Sequence, residues 1–437
     1  MMAQLSSIMM QYIDAAMVGR LGADDSAAVG LVSTSLWLFW GICSAVTVGF
    51  SVQVAHRIGA SDHDGARRIL RQSIVACLLF SLAVVAVGAA IAWPLPVWLG
   101  GTEAVCGKAS LYFLVFVLAL PLLTMNYLGG AMLRCVGNMK VPGGLNVMMC
   151  VLDIIFNFFL IFPTREIGLG SVSLTVPGAG LGVLGAALGT VSAEIVTAGL
   201  MMWFLCTREK TIRLKGHPGS FRLTRQIIGK ALRISAPMTL EHAVICGAQI
   251  AVTVIVAPLG IMAIAANAFA VTAESICYMP GYGIGDAATT LVGQSYGAQR
   301  MDVARRFGYI TVGLGMVMMT VMGVIMYVCA PWVMELMTPV GAIQTLGVES
   351  LRIEAFAEPM FAAAIVSYGV MVGVGDTIVP ACMNFGSIWL VRLPLAALLA
   401  PTMGLAGVWT AMCIELCFRG AIFLWRLLSG AWLKKGI

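Results

Sequence analysis

The chain has 437 residues, 60% of them hydrophobic and 11% charged, with a mean hydropathy of +0.96. That composition excludes an ordinary soluble globule, which carries about a quarter of its residues as Asp, Glu, Lys and Arg. The net charge of +6 is not a nucleic-acid footprint, because the basic residues gather in alternate connections between long apolar runs.

Those runs approach the roughly twenty residues that carry a helix across ~30 Å of hydrocarbon. In chain order the predicted spans cover about 1–19, 28–50, 72–92, 109–131, 143–162, 179–205, 234–257, 261–285, 308–329, 353–374, 380–400 and 405–430. Backbone polar groups in lipid must be satisfied within the segment, so helices are expected. Barrel strands would alternate apolar and polar residues, and these runs are continuous. The expected fold class is therefore an all-α membrane protein with twelve transmembrane helices. Pro142 and Pro380 fall where spans 5 and 11 begin, a position at which a missing N–H costs nothing. Pro280-Gly281-Tyr282-Gly283-Ile284-Gly285 predicts a break at the end of span 8, read as tight packing of small residues between helices ahead of a ligand site.

The chain also repeats itself at an offset of 238 residues. Gly59-Ala60-Ser61-Asp62-His63-Asp64-Gly65-Ala66-Arg67-Arg68 returns as Gly297-Ala298-Gln299-Arg300-Met301-Asp302-Val303-Ala304-Arg305-Arg306. Leu21-Gly22 matches Leu259-Gly260, and Val136-Gly137 with Val141-Pro142 matches Val374-Gly375 with Val379-Pro380. An internal duplication of hydrophobic helices is a transporter signature. An even number of spans separates equivalent positions, so the two six-helix lobes are expected to be related by a pseudo-two-fold axis along the membrane normal. The predicted organisation is an N-terminal lobe over 1–206, a charged linker over 207–233 and a C-terminal lobe over 234–437. Pro237 has its repeat counterpart just before residue 1, and span 1 lacks the basic lead-in that Lys230 and Arg233 give span 7, so a truncated start is expected.

Arg57, Arg67, Arg68 and Arg71 lie between spans 2 and 3, Arg134 and Lys140 between 4 and 5, and eight basic residues from Arg208 to Arg233 between 6 and 7. The excess of Lys and Arg places these loops and both termini in the cytoplasm, in the inner (plasma) membrane of a cell. There is no basic lead-in of a secretory signal. The repeated Asp64 and Asp302 are expected to cap short helices and pair with the arginines that follow. The twelve cysteines form no C-x-x-C pair; Cys413 and Cys417 sit one turn apart without further ligands, so they are read as small apolar residues.

Ionisable groups inside spans are costly, at ~2.5–3.5 kcal/mol for a central carboxylate, and each is a candidate for function. They are Asp14 in span 1, Asp153 with Asn157 one turn later in span 5, Glu194 in span 6, Glu241 in span 7, Glu274 in span 8 and Glu358 at the start of span 10. Out of water a carboxyl holds its proton more readily, and an ionised one can coordinate a small cation. Asp14, Asp153, Asn157, Glu241, Glu274 and Glu358 are the coupling candidates, with Na⁺ or H⁺ as the coupling ion. Asp14, Asp153 and Asn157 are the candidate Na⁺ ligands. Gln11, Glu194, Asn267, Met279 and Tyr282 are the candidate lining of a substrate cavity between the lobes. Glu415 and Arg419, four apart, predict a structural ion pair, and Arg392 predicts an acid partner that spacing does not identify. No P-loop, H-E-x-x-H or G-x-S-x-G occurs, so nothing supports an enzyme or a cofactor.

Four segments carry a resemblance to a family. They are Asp14-Ala15-Ala16-Met17-Val18-Gly19-Arg20-Leu21-Gly22, Val256-Ala257-Pro258-Leu259-Gly260, the stretch Gly285-Asp286-Ala287-Ala288-Thr289-Thr290-Leu291-Val292-Gly293-Gln294-Ser295-Tyr296-Gly297-Ala298, and Gly373-Val374-Gly375-Asp376-Thr377. Over essentially its whole length the chain resembles the multidrug and toxic compound extrusion (MATE) transporters. The resemblance implies a two-lobed antiporter that exports mostly cationic organic compounds against entering Na⁺ or H⁺. It matches Asp14 to the family's first-helix acid. The family's helix-5 pattern, Asn-x-x-x-Asp, stands here as Asp153-x-x-x-Asn157, with the groups exchanged. One subgroup's helix-7 glutamate falls at Ile245, one turn after Glu241, and its helix-10 aspartate near Phe361, with Glu358 the nearest acid. The expected partners are small organic cations and the lipid bilayer, with no nucleic acid and a single-chain unit. The alternative is a lipid-linked oligosaccharide flippase of the same superfamily, which would need a cationic cavity.

Overall fold

Three helices of 37 residues each set the proportions of the molecule, since each is ~55 Å long and outruns the hydrocarbon layer. The computed structural model describes residues 2–169 and 172–434. The first half of the chain comprises α1 (Met2–Gly19), α2 (Ala23–Gly59), α3 (His63–Ile91), the short α4 (Pro94–Trp98), α5 (Glu103–Cys135), α6 (Lys140–Ile161), the strands β1 (Pro163–Leu169) and β2 (Val172–Ala179), and α7 (Gly182–Thr207). The second half comprises α8 (Arg225–Val256), α9 (Ile261–Gly297), α10 (Met301–Met337), α11 (Gly341–Ala355), α12 (Glu358–Val374), α13 (Ile378–Gly386), a π-helical turn (Ser387–Arg392), α14 (Leu393–Met403) and α15 (Leu405–Ser429).

Among the described residues ten helical segments are long and apolar enough to cross a membrane, and the pair α11–α12, bent by 59°, makes eleven. The 18-residue α1, with Gln11 and Asp14, is the remaining one of the twelve expected spans. The fold is that of an all-helical multi-pass membrane protein. Large apolar side chains such as Leu79, Val87, Val254 and Leu336 face outward, where a soluble protein would carry charge.

Several expectations need correction. The predicted break at Pro280 is absent: α9 runs unbroken past it. Gly281 there serves close packing against Met319, and the Gly285 backbone is approached closely by Gly369 of α12. Span 10 starts earlier than 353 and is bent instead, because Pro359 cannot continue the hydrogen bonding of α11 and becomes the second residue of α12. Span 11 contains the π-helical turn, and an antiparallel hairpin, β1–β2, joins spans 5 and 6. The connection expected over 207–233 is helical from Arg225 onward. The repeated acidic residues open long helices, not short ones. Asp62, not Asp64, caps α3 by accepting from the Gly65 N–H at 2.8 Å, while Asp64 pairs with Arg67 at 2.7 Å. Asp302 lies 3.9 Å from Arg300 and makes no pair with Arg305 or Arg306.

The duplication is visible in the backbone itself. Left-handed conformations recur at equivalent positions: Gly22 and Gly260, Ser61 and Gln299 (φ 59° at both), and Gly137 and Gly375. The two halves meet where α2 crosses α9, and the contact is reciprocal. A side chain on Gly59 would overlap the Gln294 carbonyl, and one on Gly297 would overlap the carbonyl of His56, the repeat counterpart of Gln294. His56 Nε2 lies 2.8 Å from the Gly373 carbonyl, and Gln294 Nε2 donates at 2.5 Å to the carbonyl of Cys135, the counterpart of Gly373. Such mutual contacts between like positions are what a two-fold relation produces.

Candidate functional site

The first-half acids converge because two small residues let α6 lie against α7. Gly185 packs on the Leu160 backbone, and Gly189, one turn later, packs on Asn157. Val18 of α1, Ile161 of α6 and Ala186 of α7 form one apolar cluster that fixes the three helices together. Across that junction Asn157 Nδ2 donates to Asp14 Oδ1 at 2.7 Å. Asp153, one turn before Asn157 on α6, is fully buried, as is Asn157. Among the described residues neither carboxylate oxygen of Asp153 nor Asn157 Oδ1 has a partner in hydrogen-bonding geometry, although Asp14, Thr190 and Asn157 stand close to that carboxyl. Three buried oxygens without donors beside a second carboxyl form an arrangement that a proton or a small hard cation would satisfy. The predicted trio of Asp14, Asp153 and Asn157 is thus brought together. Glu194 on α7 accepts from Asn126 Nδ2 of α5 at 2.7 Å in a buried pair, a partner that sequence spacing did not indicate.

The second half holds two further acidic groups. Glu241 on α8 is clamped by Tyr368 Oη of α12 at 2.6 Å and by Asn384 Nδ2 of α13 at 2.5 Å, so both its oxygens are occupied. Glu274 on α9 is buried, and Glu358 at the head of α12 is fully buried with both oxygens unpartnered. Glu354, which sequence reasoning passed over, shares that condition: it is fully buried on α11 with neither oxygen partnered. Its signal was present, since it precedes Glu358 by one helical turn inside the predicted span. Two partly buried cations of this half are held by one acid. Glu415 on α15 receives Arg392 at 2.7 Å, Arg419 at 2.8 Å and the hydroxyl of Ser387 at 2.5 Å. The π-helical turn carries both Ser387 and Arg392 to that carboxylate.

The candidate cavity residues differ in exposure. Tyr282 is 46% exposed, its ring against Tyr278; Met279 is half-buried; Gln11 is exposed on α1. Asn267 accepts from the Trp409 indole at 3.0 Å and so serves packing between α9 and α15. An exposed bond from Tyr12 Oη to the Thr272 carbonyl, at 2.7 Å, joins α1 to α9 across the two halves.

The family model MatE matches residues 1–159 and 237–398, which is more than half the chain. Curated relatives align over nearly the full length. A "Probable multidrug resistance protein NorM" of Thermotoga maritima is 25% identical over 97% of this chain and 89% of its own. Another of that description, from Halalkalibacterium halodurans, is 26% identical over 98% and 91%, and the "Multidrug resistance protein NorM" of Burkholderia vietnamiensis is 26% identical over 97% and 90%. Among solved structures, a MATE protein in complex with MaL6 superposes with a TM-score of 0.90 at 21% identity, over 100% of this chain and 95% of that one. An outward-facing multidrug resistance MATE family transporter also reaches 0.90, at 20% identity and over 100% and 94%. With the motifs, the reciprocal halves and the family model in agreement, the chain belongs to the MATE family of membrane transporters.

Proposed function

We propose that this protein is a multidrug efflux antiporter that exports organic, mostly cationic compounds in exchange for Na⁺ or H⁺. The relatives named above as multidrug resistance proteins support the cargo, and the buried carboxyls support the coupling. The observation that carries the coupling is the set of unpartnered oxygens on Asp153 and Asn157 beside Asp14. An ion entering there would be held by α1 and α6 at once, and so would favour the packing in which those two helices are close. An ion shifts a conformational equilibrium only by its difference in affinity for the two states. Falling through the membrane field it contributes ~2.3 kcal/mol per charge per 100 mV, besides its concentration gradient.

In this reading residues 1–206 and 234–437 move as two lobes about the α2–α9 crossing, joined by 207–233, with both termini cytoplasmic. Gln11, Glu194, Met279 and Tyr282 lie along the path of the cargo, and Glu241, Glu274 and Glu358 supply second-half carboxyls for ion or cargo. The flippase alternative needs free cations for a pyrophosphate. Arg392 and Arg419, the two arginines that would suit it, are both bound to Glu415, which favours cationic cargo. The test is ethidium efflux from proteoliposomes under imposed Na⁺ or H⁺ gradients. Wild-type protein exports dye when one of the gradients is applied, and Asp14→Asn abolishes this while folding normally. Undiminished gradient-driven efflux by Asp14→Asn would sink the proposal.

A further inference from the structure

At the end of the molecule where the basic loops gather, α2, α3 and α8 enclose a cavity of about 500 Å³. Its wall is charged, unlike the apolar flanks of the bundle. Arg57 and Asp62 pair with each other at 2.8 Å and cancel. Arg68 of α3 and Lys230 of α8 also line it, and among the described residues neither forms an ion pair. The first turn of α8 opens onto the same space through Thr224, Gln226 and Ile227. Its amides lack a side-chain cap, because the Thr224 hydroxyl and N–H both donate to Gln72 Oε1 at 3.0 Å. Two free cations and an uncapped helix start therefore face one cavity, and helix starts favour anions.

We propose that this cavity binds a phosphate-bearing anion, gripped by Arg68 from the first half of the chain and by Lys230 from the second. Basic pockets between spans, at the level where helices leave the bilayer, suit the phosphodiester of an anionic lipid headgroup. A free phosphate offers the same chemistry. Either occupant would bridge the halves beside His56, which itself lines the cavity and lies against the Gly373 carbonyl. Binding would therefore favour the arrangement in which this end is shut, and would weaken as the halves part. The proposal does not depend on which ion drives transport or on what is exported.

The test uses the purified full-length protein in detergent. Phosphatidylglycerol and phosphatidylcholine are offered in turn and their retention read by native mass spectrometry; inorganic phosphate is titrated separately by calorimetry. The double variant Arg68→Gln/Lys230→Gln is expected to lose phosphatidylglycerol retention by about tenfold or more. A control of equal charge, Arg213→Gln/Arg306→Gln, and the charge-preserving Lys230→Arg should both retain it. If only inorganic phosphate shows this dependence on Arg68 and Lys230, the occupant is the free anion and the site stands. If neither probe distinguishes the double variant from the wild type, or if the control loses binding equally, the site is refuted.

Discussion

Gly189 offers a way to disturb the first-half acids without touching any of them. A β-carbon there would overlap Asn157 Oδ1 and would stand 2.9 Å from its Cγ and 3.0 Å from its backbone nitrogen. The side-chain atoms could swing aside, but the backbone nitrogen belongs to α6, so α7 must also retreat by several tenths of an ångström. Asn157 is the residue that donates to Asp14 at 2.7 Å. Gly189→Ala should therefore weaken a hydrogen bond to an acidic group, worth ~1.5–3 kcal/mol, and impose an overpacking cost of ~1–3 kcal/mol. If that bond shapes the ion site, the ion concentration for half-maximal efflux rises by about ten- to a hundredfold. Gly199, on the same helix, has open space where a β-carbon would go. Gly199→Ala should leave transport unchanged and stabilise α7 by up to ~1 kcal/mol. The assay is dye efflux from proteoliposomes titrated with the coupling ion, alongside thermal unfolding in detergent. Wild-type ion dependence in a normally folded Gly189→Ala protein would refute the link between α6–α7 packing and ion binding.

Two further substitutions probe the frame. Glu415→Ala strands two arginines that are only 16% and 11% exposed, and should cost ~3–5 kcal/mol, read as a lower melting temperature in detergent. Gln294→Ala removes one of the two reciprocal bonds at the α2–α9 crossing, the one that accepts at the Cys135 carbonyl. The buried Cys135 thiol should then react faster with a maleimide, while Ala in place of the exposed Gln299 leaves its rate unchanged.

The spans were legible because lipid dictates both their apolarity and their minimum length, and the duplication because its offset never slips between Gly22 and Pro380. What lipid does not dictate stayed hidden. The extra turns of α2 and α9 stand among polar residues, where hydropathy carries no signal. The sequence pattern does not separate a proline that bends a span from one that does not. Pro121 and Pro359 are repeat counterparts, yet α5 runs through the first while the second follows a 59° bend. In the site, the shared face of Asp153 and Asn157 follows from their spacing alone. The bond from Asn157 to Asp14 spans 143 residues of chain, and the grip of Tyr368 and Asn384 on Glu241 spans 127 and 143. No local pattern encodes such distances; only the packed helices bring them together.

The duplicated frame and its polar content follow opposite rules. At the α2–α9 crossing the repeat is kept to the level of single hydrogen bonds, because each half must fit the other's backbone. The carboxyls buried within the spans are not repeated. At the 238-residue offset Asp14, Asp153 and Asn157 correspond to Val252, Val391 and Leu395, while Glu274, Glu354 and Glu358 correspond to Leu36, Phe116 and Leu120. Leu36 and Phe116 pack in one apolar cluster with Leu120. Each half therefore fills with hydrocarbon the positions where the other buries its acids. In the proposed antiport, an ion taken up beside Asp14 and Asp153 would bind to residues of one half only. On that proposal, two bundles that meet at one crossing but bind different ligands would each bias the pair's equilibrium, which two identical bundles binding identical ions would not do.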